Sequence, residues 1–164
     1  MRELEGRKRM SVERFLKAQE GDYDVALAES RAGRKQSHWI WYIFPQLKGL
    51  GRSSTSEYYG IRDLDEAREY LIEPTLRKHL LEISEALLGL PSNDAEDVMG
   101  FPDNLKLRSS MTLFALAEPS CTVFQRVLDK FFGGKLDERT VELCEKNQRC
   151  VGHKQTRDMM QKGE

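Results

Sequence analysis

Three stretches of this chain hold residue types that can do chemistry together. In GRKQSHWIWYIF, Gly33 to Phe44, two cations and three polar side chains run into a block holding both tryptophans. If that block is helical, Arg34 and Lys35 stand just before its N-terminus, where backbone N–H groups favour an anion. Ser37 can cap it. His38 falls in the first turn, and an imidazole titrates near neutrality, where general acids and bases work. Trp41 or Tyr42 can offer a flat face to a base or sugar. Together these groups suit a phosphate-bearing or nucleotide-like small molecule. The competing reading is packing, since an element apolar nearly all round is normally buried. Trp39 and Trp41 are then core, and His38 is half-buried against a carbonyl or carboxylate.

The second stretch is KLRSSMTLF, Lys106 to Phe114. Lys106, Ser109, Ser110 and Leu113 recur at i, i+3, i+4 and i+7, which puts a lysine and two hydroxyls on one helical stripe. Leu107, Met111 and Phe114 hold the other face. Serine is not favoured inside helices, so a pair there can serve a phosphate or an oxyanion. Alternatively, the small serines let helices approach closely while Lys106 snorkels. The third stretch is the loop GLGRSSTSEYYG, Gly49 to Gly60, where glycines, Arg52 and hydroxyls can cradle phosphate through backbone donors. Glu57 is its carboxylate and the first choice for a base there. A plain solvated loop is the alternative.

Other chemistries are set aside. The loop lacks the GxxxxGK[ST] spacing, and no GxGxxG, GxSxG or HExxH occurs. His38, His79 and His153 are scattered, and no metal site or cofactor is expected. Cys121 falls beside a helix start, where a thiol pKa can drop, but a core or turn position explains it as well. Three cysteines, with Cys144 and Cys150, make poor material for a disulfide framework and fit a reducing compartment.

These residues must be positioned by helices. Ser11 can cap a helix to about Gln19, broken at Gly21-Asp22. Asp22 caps a second, in which Tyr23, Ala26, Leu27 and Ser30 share a face until Gly33 ends it. A short helix follows from His38 to Phe44, stopped by Pro45. The glycine- and hydroxyl-rich loop holds one turn at most. Asp63 with Glu66 makes a capping-box start for LDEAREYL. Pro74 opens a helix with Leu76, Leu80, Ile83, Leu87 and Leu88 at helical spacing. Asn93 and Glu96 open a short turn closed by Gly100. Asp103, Ser120 and Asp137 cap the last three helices. The expectation is an all-α fold, a single compact multihelical domain of about eight short helices over residues 11–145. Residues 1–10 read as a flexible arm and 146–164 as a flexible polar tail.

The chain has 164 residues, enough for one substantial core, with 39% hydrophobic and 32% charged side chains. Lys+Arg number 26 and Asp+Glu 27, so the net charge is -1. That balance gives no global pull toward phosphate backbones or anionic membranes, so nucleic acid is not an expected partner. The charged N-terminus lacks an apolar signal core, and no apolar run reaches the roughly 18 residues that span a bilayer. A cytoplasmic, soluble protein is expected.

The segments ERFLKAQ (13–19), GRKQSHWIWYIFPQLKGLG (33–51), YLIEPTLRKHL (70–80), KLRSSMTLF (106–114) and FQRVLDKFFGGKLDERTVEL (124–143) together resemble one family. It is the bacterial and fungal domain-of-unknown-function 1810 family, sometimes labelled "calpastatin". The resemblance spans roughly Val12 to Leu143. It implies a small multihelical domain and no established activity. Its most characteristic blocks fall on Lys35, Ser37, His38, Trp39, Trp41, Phe44, Pro45 and Gln46, and on Lys106, Ser109, Ser110, Met111 and Thr112. The calpastatin label fits poorly, because inhibitors of that name are long, disordered, repeated chains.

The expected function is binding of an anionic or nucleotide-like small molecule where the 34–46 segment meets the 106–112 helix, with hydrolysis or transfer as a further step. His38 is the candidate catalytic group. Lys35, Ser37, Trp41, Gln46, Arg52, Lys106, Ser109 and Ser110 are the candidate ligand-binding groups. The alternative is a non-enzymatic interaction module for a protein partner that the sequence does not identify. Nothing in the pattern decides between enzyme and binding protein.

Overall fold

A computed structural model of the chain describes residues 2–147, and the side chains of residues 11–147. The fold is all-α. Its helices are α1 (Arg2–Arg31), α2 (Ile40–Ile43), α3 (Ser54–Tyr59), α4 (Leu64–Ile72), α5 (Pro74–Leu88), α6 (Ala95–Met99), α7 (Asp103–Ala117) and α8 (Val123–Phe132). A last helix, α9, covers 138–147. Among the described residues there is no strand, only an isolated parallel bridge between Leu47 and Ile61. No described helix is long and apolar enough to cross a membrane.

The main departure from expectation lies in α1. Gly21-Asp22 does not break it, and one helix runs through both expected elements. A helical glycine costs about 1 kcal/mol relative to alanine, and an uninterrupted inner stripe offsets that. Val12, Phe15, Gln19, Tyr23, Ala26 and Ser30 step by three or four residues and are all buried. Gln19 sustains the stripe across the glycine although it is polar. Its Nε2 donates to the Tyr42 carbonyl (2.7 Å) and the Tyr70 hydroxyl (2.9 Å), and its Oε1 accepts from His79 Nδ1 (2.8 Å). The His79 ring stacks on Tyr23, with centroids 3.6 Å apart. The backbone shows no break at residue 11, where the arm and the domain were expected to part. Residues 146 and 147 close α9, and the rest of the expected tail, with Cys150 and His153, lies outside the described residues.

α7 runs through the centre. It packs on α8, α4 and α6, while α1 packs on α5, α2 and α4. Leu107, Met111 and Phe114 of α7 meet a core that includes Phe124, Val127 and Leu128 of α8 and the Leu76, Leu80, Ile83 and Leu87 stripe of α5. Several caps follow the sequence. Asp63 accepts from the Glu66 amide (2.9 Å), Pro74 opens α5, and Asp137 accepts from the Thr140 amide (3.0 Å). Others do not. Asp94, rather than Asn93, caps α6. α8 starts at Val123 after an N-cap Thr122, so Ser120 lies outside it. Asp103 is the first residue of α7, not its cap.

The loop before α3 is clasped at its base. The Lys48 amide donates to the Ile61 carbonyl (2.7 Å), and the Ile61 amide to Gln46 (2.9 Å). Arg14 of α1 donates to the carbonyls of Tyr58 (2.9 Å) and Gly60 (3.0 Å) and pairs with buried Glu66 (2.9 Å). A Cβ on Gly60 would lie 2.7 Å from Lys48 Cα, so the clasp requires glycine there.

Candidate functional site

The chain from Arg34 to Trp39 does not enter a helix directly. α2 is a single turn, its N-cap is Trp39, and no side chain caps it. Ser37 is therefore not the expected cap, and so short a helix supplies little dipole for an anion. Glu29 of α1 shapes the turn instead. Its carboxylate accepts from the amides of Gln36 (2.8 Å) and Ser37 (2.9 Å), from Ser37 Oγ (2.6 Å) and from Trp39 Nε1 (2.9 Å). Burial alone would raise the Glu29 pKa. The donors from Ser37, Gln36 and Trp39 outweigh it and hold the pKa down to about 2. The Lys35 amide donates to the Val98 carbonyl (2.7 Å), docking the turn on the end of α6.

So held, the turn directs Lys35 toward α7. Asp103 receives Lys35 Nζ on Oδ2 (2.8 Å) and Lys106 Nζ on Oδ1 (3.1 Å). The two segments marked by the sequence thus meet at one carboxylate. Lys35 Nζ also donates to the Ser37 carbonyl and lies 5.1 Å from the Trp39 ring centroid. Lys106 Nζ lies 4.9 Å from that of Trp41, within cation–π range. Burial pushes the Asp103 carboxyl upward, but hydrogen bonds and charge from Lys35 and Lys106 prevail and hold it below the ordinary carboxylate range. Side-chain exposure is 6% for Lys35, 19% for Asp103 and 24% for Lys106. Lys35 is therefore an interior strut, and the solvent-facing edge belongs to Asp103, Lys106 and half-buried Trp41.

The predicted residues separate into four groups. Lys35, Lys106 and Trp41 come together. His38 and Ser37 sit on the same turn: His38 is exposed, and its carbonyl accepts from the Tyr42 hydroxyl (3.3 Å), while Ser37 is committed to Glu29. Trp39, Ile40, Ile43 and Phe44 are core; the packing reading expected that of Trp39, but it also expected a core Trp41 and a half-buried His38, and these are half-buried and exposed. Gln46 and Arg52 belong to the clasped loop, the first buried near Gly51 and the second exposed. Glu57 is exposed on α3.

Ser109 and Ser110 are buried, at 7% and 0% exposure, and so is Leu113, so of the i, i+3, i+4, i+7 stripe of α7 only Lys106 reaches solvent. Ser109 Oγ donates to the Leu105 carbonyl (3.1 Å), and Ser110 Oγ has no partner. Their small size lets α7 pack tightly. Sequence reasoning missed Glu29 and Asp103. Asp103 had a signal, three residues before Lys106 on the same helix. Glu29 had none, because its partners return to it through an irregular turn.

Among the described residues no cluster of His, Cys, Asp or Glu is placed to hold a metal ion. Cys121 is partly exposed and Cys144 buried, both free. An open groove of about 490 Å³ lies elsewhere, lined by Arg108, Lys135, Leu136, Glu138, Val141 and Glu142. It includes none of the predicted site residues.

This is a multihelical all-α domain whose central helix and first irregular turn are joined by a lysine–carboxylate–lysine bridge over two tryptophans. Residues 9–144 match the family described as Protein of unknown function (DUF1810), and the chain belongs to that family. The crystal structure of the conserved hypothetical protein Rv1873 from Mycobacterium tuberculosis is similar, with a TM-score of 0.79 and 44% sequence identity over 80% of this chain and 94% of that one. No curated protein matches the chain.

Proposed function

We propose that the face formed by His38, Trp41, Asp103 and Lys106 binds a nucleotide-like small molecule. The observation that carries this reading is the convergence of Lys35 and Lys106 on Asp103 with Trp41 beneath Lys106. A flat, half-buried aromatic beside a fixed donor and a fixed acceptor is what a ring with a polar edge requires. Asp103 already offsets much of the lysine charge, so recognition by the ring and its edge is favoured over a simple phosphate cradle. Arg34 and His38, exposed on the turn that carries Lys35, are the candidates to meet an anionic tail. Where the bound molecule is turned over by hydrolysis or transfer, His38 moves the proton.

The test is a thermal-shift series with nucleotides and sugar phosphates. Ligand at 100 times its Kd stabilises by about 2.7 kcal/mol, which raises Tm by roughly 5–10 °C in a domain of this size. Trp41→Ala removes the shift. Unchanged Tm with every nucleotide sinks the reading.

A second reading has its own observation. Phe101, two residues before α7, and Leu105, in its first turn, are 70% and 48% exposed. Exposed apolar residues so near in sequence suit a protein contact. On that reading Phe101→Ser with Leu105→Ser abolishes partner binding and leaves nucleotide shifts unchanged.

A further inference from the structure

The geometry points to a guanine base as the ring this face selects, an inference that rests on the nucleotide-binding reading above. The argument comes from counting donors and acceptors. Lys35 has three N–H groups, and Asp103 Oδ2, the Ser37 carbonyl and the Trp39 face account for them. It is a positioning residue that fixes the carboxylate. Each Asp103 oxygen receives one ammonium and keeps a second lone pair. The face therefore presents two adjacent acceptor positions on one carboxylate. Lys106 directs one N–H to Asp103 and lies over Trp41, which leaves a third N–H for a ligand. The pattern along the edge is acceptor, acceptor, donor, with the Trp41 ring alongside.

The Watson–Crick edge of guanine complements that pattern. Its N1–H and N2–H are adjacent donors for the two carboxylate oxygens, and its O6 is the adjacent acceptor for the ammonium. Adenine offers one donor beside one acceptor, and cytosine one donor beside two acceptors, so each leaves a carboxylate oxygen unmatched. Hypoxanthine keeps N1–H and O6 but lacks the 2-amino group. A site built to bond a donor rejects the analogue lacking it, because its own polar group is left unpaired. Base discrimination through good paired contacts is worth about 1–3 kcal/mol, which converts to roughly 5- to 150-fold in Kd.

The experiment is calorimetric titration of the full chain with GMP, IMP, AMP and CMP under identical salt. The expected order is GMP tightest, IMP weaker by about tenfold, and AMP and CMP weaker still. Lys106→Met, at a partly exposed position, reduces the preference of GMP over AMP by at least fivefold. Asp103→Asn, which swaps one acceptor for a donor, removes the GMP-over-IMP preference. Because that variant also strips buried Lys35 of its partner, Lys106→Met carries the test where Asp103→Asn does not fold. Equal binding of all four nucleotides overturns the guanine assignment and leaves the nucleotide reading standing. A GMP-over-AMP preference undiminished in Lys106→Met also overturns it. No binding of any nucleotide overturns both.

Discussion

Replacing Asp103 with alanine removes the one carboxylate that Lys35 and Lys106 share. Deleting one partner of a buried ion pair costs about 3–5 kcal/mol, because the other charge stays behind unpaired. An exposed pair is worth about 0–1 kcal/mol. Lys35 is 6% exposed and Asp103 19%, so their pair lies toward the buried limit, whereas Lys106 at 24% can turn to water. The expected cost is about 3 kcal/mol, which lowers Tm by roughly 6–12 °C. Urea unfolding of a double-mutant cycle checks it. Lys35→Met with Asp103→Ala removes both charges of the interior pair, so the double variant should be more stable than Asp103→Ala alone, with a coupling of at least about 1.5 kcal/mol. The pH dependence has a defined sign. The folded Asp103 pKa is below its unfolded value, so its contribution is complete above about pH 4 and fades as pH falls through the folded pKa. Strict additivity in the cycle, or a cost below about 0.5 kcal/mol for Asp103→Ala, would refute the account of Lys35 as a buried strut.

Glu29 titrates at about 2 in the folded chain, so the stability it supplies is present above its unfolded pKa and is lost as pH falls through about 2. An NMR titration of its carboxyl carbon should find no protonation at pH 4. Gln19→Leu leaves the Tyr42 carbonyl, Tyr70 hydroxyl and His79 without their shared partner, at a cost of about 2–3 kcal/mol in urea unfolding. Gly21→Ala stabilises by up to about 1 kcal/mol, because nothing lies within 4 Å of the added carbon. Gly60→Ala instead costs about 2 kcal/mol or more, since its Cβ would meet Lys48 Cα at 2.7 Å. Ser110→Ala is neutral or slightly stabilising, because its hydroxyl is buried without a partner, and it leaves any ligand-induced shift unchanged.

Where the sequence was legible, one local rule decided the outcome. The α5 stripe, Pro74 at its start, the Asp63 cap and the burial of Trp39 each followed from periodicity, capping or apolar composition. Where it was not, tertiary partners overrode a local rule. Gly21 reads as a breaker until Gln19 is known to have three partners supplied by α2, α4 and α5. Ser37 and Asp103 read as caps, but Glu29 and the two lysines take their side chains. The two serines of α7 read as a polar stripe because spacing does not reveal how closely a neighbouring helix approaches. The meeting of Lys35 with Lys106 was expected, whereas the carboxylate that joins them was not.

The clasp at Gln46, Lys48 and Ile61, with Arg14 bonded across its closing end, gives the α3 excursion a fixed doorway. Its anchors lie outside the stretch they enclose, apart from the carbonyls of Tyr58 and Gly60. The enclosed span can therefore lengthen or shorten at little thermodynamic cost, about 0.6 kcal/mol for each doubling of a flexible loop. Insertions and deletions among relatives should collect ahead of the Ser53 cap of α3, between Gly49 and Arg52, and a peptide tag spliced there should leave the helical body unfolding as the parent does.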